Sequence, residues 1–189
     1  MFSDPVLNSG DSPILAESSV EVPLVLLHVA IEKDLPFIAD LFKKEVVTAG
    51  DLDASLKGFA EMFASFRGSN TSYAFMLWLG KVPLFEIELH LANKQDTLRQ
   101  DFPPEDHDYN ISMMPGNFGH AEFFVYVLGF QLCLDYFWNL PDIKRIIAPV
   151  YAGPHEDEHT RLFTETGMTL SLKRSNPRDP ELYVLSRPV

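Results

Sequence analysis

The chain has 189 residues, one cysteine and a formal net charge of −12. This length suits one domain with a sizeable core, and the fifteen phenylalanines predict a core rich in aromatic rings. The negative charge lacks the basic footprint of a nucleic-acid binder and disfavours an anionic membrane surface, but it suits a cationic or amine-bearing small molecule.

The N-terminal segment and the cysteine indicate where the protein works. Residues 1–20, rich in Ser, Asp, Pro and Gly, predict a flexible segment, and residues 21–189 predict a single domain. No twenty-residue apolar span and no signal sequence stands at the N-terminus. A single cysteine, Cys133, excludes an internal disulfide and lies in an apolar run, so we predict a core thiol in a soluble, cytoplasmic protein.

The elements follow from hydrophobic periodicity and from breakers such as Gly and Pro. Apolar residues recur every three or four positions in the helices, and β-branched or alternating runs predict the strands. In chain order we predict strand Pro23–Ile31, a helix from Asp34, helix Asp51–Phe66, hairpin strands Ser72–Leu79 and Val82–Ala92, strand Tyr109–Met114, a turn at Pro115–Gly119, a helix to about Asn139, strand Ile143–Tyr151, helix Glu156–Thr166, and strands Met168–Leu172 and Glu181–Ser186.

One predicted strand carries a set of polar side chains at alternate positions. Glu86, Glu88 and His90 alternate with Phe85, Ile87, Leu89 and Leu91. Because successive side chains of a strand point to opposite faces, one face is apolar and the other presents two carboxylates and an imidazole. Such a face is a candidate acceptor-binding surface.

The element order β-α-α-β-β-β-α-β-α-β-β resembles that of the GNAT superfamily of N-acetyltransferases. Three stretches, Pro83–Ala92, Asp106–Gly116 and Leu162–Met168, resemble the siderophore-biosynthesis acyltransferases, of the aerobactin-type hydroxylysine and mycobactin-type lysine kinds. The resemblance implies an α/β (α+β) fold with a mixed central sheet flanked by helices. It also implies an acyl-coenzyme A co-substrate, acetyl-coenzyme A or another acyl form.

In that superfamily the turn after the fourth strand cradles the coenzyme A pyrophosphate with backbone N–H groups at a helix start. The pattern is Q/R-x-x-G-x-G/A, and its counterpart here keeps the glycine and the alanine but has Gly116 where Gln or Arg leads. The resemblance therefore assigns the pyrophosphate to six residues: Gly116, Asn117, Phe118, Gly119, His120 and Ala121. An ordinary Gly-rich turn into a helix is the alternative.

The resemblance also assigns residues to the chemistry, with departures. The strand position that carries the family's histidine falls on Ser112, which needs an assisting group to act as a base. Glu88 matches the family's glutamate, and His90 is a candidate base in place of Ser112, with an ordinary strand histidine as the alternative. Phe163 replaces the tyrosine that protonates the departing thiolate in many members. Glu86 and Asp108 complete the predicted acceptor side.

The stretch His155-Glu156-Asp157-Glu158-His159 fits the H-E-x-x-H pattern of zinc peptidases. A zinc site needs both histidines on the inward face of an established helix, plus a third ligand. Here the helix has only begun, and acidic residues at its first turn complement the helix dipole without a metal. We therefore interpret the match as accidental and predict no metal cofactor.

The leading hypothesis is an acyl-coenzyme A-dependent N-acyltransferase acting on a lysine-like or polyamine-like amine or hydroxylamine, with neither a nucleic-acid nor a membrane partner. The second is a domain of the same fold that binds coenzyme A or a partner without transfer, which the residues at 112, 116 and 163 suggest. The acyl chain, the acceptor and the oligomeric state stay open at this stage.

Overall fold

The computed structural model describes residues 15–17, 24–29, 34, 36–39, 49–66, 69–92, 102–115, 121–140 and 142–188. In chain order its elements are β1 (Leu15–Glu17), β2 (Leu24–His28), α1 (Ala49–Phe66), β3 (Ser72–Leu79), β4 (Val82–Leu91), β5 (Asp108–Pro115), α2 (Phe123–Phe137), β6 (Arg145–Val150), α3 (Glu156–Glu165), β7 (Thr169–Leu172) and β8 (Glu181–Ser186). Asp34 and residues 36–39 are also helical.

The chain divides into two compact units, each described by itself. Unit 1 is Met1–Glu88 with Met113–Glu122, and unit 2 is Leu89–Ser112 with Phe123–Val189. Strands β4 and β5 therefore contribute residues to both units. The strands form a mixed sheet, since β5 and β6 are parallel whereas the pairs β1–β2, β2–β3, β6–β8 and β7–β8 are antiparallel.

Unit 1 has the strand order β1-β2-β3-β4. Apolar residues of α1 at spacings of three and four pack on one face of β3, which is the reason this stretch is a helix against a sheet. The cluster consists of Ile38, Phe63, Ala74, Met76 and Trp78, with Val29, Phe59, Met62, Phe66 and Met114 packed against it. Apolar burial of this kind is what holds the unit together.

Unit 2 runs β4-β5-β6-β8-β7 in strand order, with Leu89–Leu91 as its share of β4. Ile146, Ile147 and Ala148 of β6 are fully buried, as expected for a central strand covered on both faces. Ala92, Ile147 and Leu182 form one apolar cluster, with Phe102, Leu172 and Val184 packed against it.

Helix α2 is apolar on most of its circumference, and most of it is buried, as the sequence predicts. Cys133 is fully buried within it, and burial raises the pKa of its thiol. Phe124 and Leu128 are exceptions, because they form an exposed apolar strip with Phe124 at 56% exposure. Because Cys133 is fully buried, the prediction of a core thiol is confirmed.

The predicted strands and helices are confirmed, with bounds that shift by a few residues. Strand β1 was not predicted. It lies within residues 1–20, the segment predicted to be flexible, and pairs with β2. Gly167 ends α3 as predicted, with a positive φ of 87° that glycine adopts without strain. The continuation of the predicted helix from Asp34 beyond residue 39, and the turn residues 116–119, lie outside the described residues.

Among the described residues, no helix is both long enough and apolar enough to cross a bilayer.

Candidate functional site

In unit 1 the candidate site is a pair of carboxyl groups on β4. Glu86 is 2% exposed, and Glu88 is half-buried two positions along the strand, on the same side. Burial, and secondarily the nearby Glu88 carboxylate, raise the pKa of Glu86 well above that of an ordinary glutamate. On this polar side of β4, Glu86 is therefore covered, whereas Glu88 beside it is partly exposed.

His90 lies in the part of β4 that belongs to unit 2, and it is buried apart from a small exposed fraction. Ser112 is in the same unit but on β5, where its side chain is exposed. An exposed hydroxyl is accessible to a substrate yet gains no basicity from burial or a fixed partner. The role of His90 as base stays a prediction, and so does a catalytic role of Ser112, which would need an assisting group.

Hydrogen bonds from neighbouring residues hold the carboxylate of Asp108 in place. Asp108 is 1% exposed at the start of β5 and lies opposite Arg145 of the parallel strand β6. Nε and Nη2 of Arg145 donate to its two carboxylate oxygens at 2.8 and 2.6 Å, and the Glu105 backbone N–H donates at 2.7 Å. A carboxylate with its oxygens engaged in this way has little capacity left for an acceptor amine.

Sequence reasoning missed Arg145, the residue that holds Asp108. Its guanidinium also contacts Glu105 at 3.1 Å and lies over the Phe102 ring at 5.9 Å. The side-chain hydrogen bond to Asp108 is the largest cause that raises the pKa of Arg145. The signal was available, because Asp108 directly precedes one predicted strand and Arg145 lies near the start of the next, and these strands flank one long helix, as in a parallel crossover.

Most of the predicted pyrophosphate loop, Gly116 to His120, lies outside the described residues. Ala121 is described and half-buried, two residues before α2 begins at Phe123. The first turn of α2 contains no acidic side chain, although Glu122 directly precedes it, and the positive end of the helix dipole favours a phosphate at such a helix start. The assignment of these six residues to coenzyme A stays a prediction.

Phe163 is a core residue of unit 2. It is 3% exposed, and its ring lies 5.3 Å from Phe130, 5.9 Å from His159 and 6.2 Å from Tyr183, measured between centroids. Within these contacts a phenyl ring packs well and offers no proton donor. The departure from the family's tyrosine is therefore accommodated by close aromatic packing.

The H-E-x-x-H stretch is a helix start, as predicted. His155 precedes α3, and Glu156, Asp157 and Glu158 form its acidic first turn. The His155 and His159 ring centroids are 6.4 Å apart, and burial with the neighbouring His155 lowers the pKa of His159 to about 4. In the part of the chain that the structure describes, no group of three or more His, Cys, Asp or Glu is arranged to hold a metal ion.

With this geometry in view, the fold can be compared with solved structures. A protein of Bacillus halodurans has a TM-score of 0.69 at 15% identity, covering 91% of this chain and 88% of its own. The aminoglycoside acetyltransferase AAC(6')-Ib in complex with coenzyme A has a TM-score of 0.65 at 14% identity, covering 87% and 95%. The chain has the fold of the GNAT acetyltransferases.

The same acetyltransferase fold occurs in a dodecameric spermidine N-acetyltransferase from Vibrio cholerae, with a TM-score of 0.61 at 14% identity, covering 87% of this chain and 94% of that one. No protein-family model and no curated protein matches the chain. The expected fold class, a mixed sheet with flanking helices, is thereby confirmed.

Proposed function

We propose that the protein is an acyl-coenzyme A-dependent N-acyltransferase. The supporting observation is that 87% of the chain shares its fold with an acetyltransferase whose structures hold coenzyme A, or acetyl-coenzyme A with an aminoglycoside. The likeness extends to a spermidine N-acetyltransferase. The acceptors named for these proteins carry amines, which suits the negative charge of this chain.

The proposed reaction is a direct attack of the acceptor nitrogen on the thioester carbonyl carbon. A C–N bond forms, the C–S bond breaks, and coenzyme A leaves through its sulfur. The nitrogen loses one proton to His90, and backbone N–H groups polarise the carbonyl. Holding the two reactants in this orientation lowers the entropic part of the activation barrier.

Phe163 has a consequence for the leaving group. Because its buried phenyl ring has no hydroxyl, the protein offers no phenol proton to the departing thiolate at this position. A thiolate is a fair leaving group from a thioester near neutral pH, so water protonates the sulfur after it departs. We expect catalysis by positioning, with weak acid assistance.

The finer part of the proposal is the acceptor class. Three stretches of the chain resemble siderophore-biosynthesis acyltransferases, which favours a lysine-like amine or hydroxylamine, with a polyamine-like amine as the other member of the class. The carboxyl pair on β4, one buried and one half-buried, is suited to a cationic group of such a molecule.

The test is thiol release from acetyl-coenzyme A with lysine, an N-hydroxylated diamine and spermidine as acceptors. Transfer with at least one acceptor is expected, and its product is identified by mass. Gly119→Val should remove coenzyme A binding, because a side chain there blocks close backbone approach to phosphate. Gly153→Ala is the matched control, because Gly153 is exposed with open space around it. Equal binding by both variants contradicts the proposal.

A second candidate function, coenzyme A binding without transfer, is favoured by Phe163 and by the exposed Ser112. It predicts heat on titration with acetyl-coenzyme A and no thiol release with any acceptor in the panel. Thiol release that depends on the acceptor rejects this candidate.

A further inference from the structure

Glu86 is a buried carboxyl group with an unused hydrogen-bonding atom. Its Oε1 has no hydrogen-bond partner, and the side chain is 2% exposed on β4. A buried polar atom without a partner costs on the order of 1–3 kcal/mol, so a fold keeps such an atom where something else repays it. The unpartnered oxygen is therefore an indication of a ligand.

The electrostatic surroundings of Glu86 come mainly from one group. Glu88 is the charged neighbour that raises the Glu86 pKa, after burial. Unit 1 carries other titratable residues on its described elements, both acidic and basic. They are Glu17 on β1, His28 at the end of β2, the buried Asp34 in the helical residues before α1, Asp51 and Asp53 on α1, Lys57 and Glu61, which pair with each other on α1, Tyr73 on β3, which donates to the Asn70 carbonyl, Lys81 in the β3–β4 turn, and Glu122, which is exposed before α2.

We propose that Glu86 and Glu88 together bind an ammonium group of the acceptor, and that Glu86 releases its proton to solvent when the ammonium docks. The inference rests on the proposed function for its acceptor class. It goes further by assigning the recognition of the charged end of the acceptor to this pair and by coupling that recognition to a proton.

An ammonium group fits this pair better than a metal ion does. Two carboxyl groups supply several acceptor oxygens, and an ammonium has three N–H donors to share among them. A hard divalent cation requires six or more oxygen ligands, and no further His, Cys, Asp or Glu joins the pair in a metal-binding arrangement among the described residues. An incoming cation offsets the repulsion between the two carboxylates, so Glu86 ionises in the complex.

Proton linkage makes the affinity dependent on pH. Free Glu86 keeps its proton to a higher pH than an ordinary glutamate, and bound Glu86 gives it up. Below the pKa that Glu86 has in the free protein, each binding event therefore releases one proton, and the affinity for the ammonium rises by up to about tenfold per pH unit. Above that pKa the affinity becomes independent of pH.

The test is calorimetric titration with 1,5-diaminopentane, without acyl-coenzyme A, from about pH 5 to about pH 8, where the amine stays charged. Two buffers with different heats of ionisation give the number of protons released. We expect nearly one proton for the wild type at low pH, and none for Glu86→Gln, whose weaker binding should not vary with pH. Glu61→Gln is the matched control, since Glu61 is exposed on α1, and it should behave as the wild type.

Glu88→Gln provides a second, independent reading. Removing its charge lowers the Glu86 pKa, so the pH at which the affinity levels off should move downward while proton release persists. Binding without proton release in the wild type, proton release by Glu86→Gln, or no binding at all overturns the inference.

The outcomes separate this inference from the proposed function. Diamine binding with proton release but no thiol release supports the carboxyl pair and contradicts acyl transfer. Transfer to an acceptor whose binding releases no proton supports acyl transfer and contradicts the role of Glu86.

Discussion

At the scale of single residues, burial decides what each ionisable group can do. Glu86, Asp108 and His159 are all ionisable, yet their settings differ: a partly unpartnered carboxyl, a carboxylate held by Arg145, and an imidazole stacked on Phe163. The chemistry of an ionisable residue therefore depends on its neighbours in the fold and not on its residue type alone.

His159 makes the stability of the protein depend on acid. The pKa of His159 falls from 6.5 to about 4 on folding, so between these pH values the unfolded chain binds a proton that the folded protein does not. The unfolding free energy is therefore highest above pH 6.5 and decreases as the pH falls toward 4. The difference corresponds to about 3 kcal/mol. We expect His159→Phe, which keeps the stacking on Phe163, to lose that much less unfolding free energy between pH 7 and pH 4 in urea titrations. Equal losses for both proteins would contradict the buried-imidazole account.

The Asp108–Arg145 pair makes a second prediction. Arg145→Met leaves a buried carboxylate without its cation, and we expect a loss of about 3 kcal/mol in unfolding free energy. Adding Asp108→Asn to that variant should recover part of the loss, because no buried charge remains. Urea unfolding of the two single variants and the double variant measures the coupling. A double variant as weak as the sum of the singles would indicate that the pair does not interact.

At the scale of elements, the sequence predicted regular segments well and their surroundings poorly. Helix α3 was recognisable from its acidic first turn and from Gly167, which are local signals. The covering of Glu86 depends on which elements become neighbours, which no local pattern encodes. The Asp108–Arg145 contact, by contrast, could have been inferred from the predicted strand–helix–strand order. Strand β1 has no alternation of its own over three residues, so its pairing with β2 gave no signal in advance.

Two glycines with open space around them differ in backbone conformation, one with a positive φ after α3 and one inside α1. Gly167 has a φ of +87°, with nothing within 4 Å of an added Cβ, so Gly167→Ala pays only backbone strain and should cost about 1 kcal/mol. Gly58 is exposed within α1 with equally open space, and Gly58→Ala should stabilise the protein by about 0.5–1 kcal/mol. Thermal unfolding should therefore shift in opposite directions, and a shift of the same sign for both variants would be contrary to this reasoning.

At the scale of the whole molecule, the charge of −12 acts on both proposed substrates. It attracts a cationic acceptor and repels the anionic phosphates of coenzyme A, and salt screens both effects. We expect the KM for a diamine acceptor to rise with added potassium chloride while the KM for acetyl-coenzyme A falls. Steady-state kinetics at several salt concentrations, with a neutral osmolyte as control, measures the two trends. Parallel changes in both constants would show that net charge does not steer either substrate.

The buried position of Cys133 has a practical consequence for these experiments. It is the sole sulfhydryl of the protein, and neither solvent nor reagent reaches it in the folded state. A colorimetric disulfide reagent added to the proposed acyl-transfer assay should therefore report released coenzyme A with little background from the protein itself. With the protein alone, the rate at which the same reagent develops colour measures the rate of local opening of α2, since the reagent reacts only when the helix exposes the sulfur of Cys133.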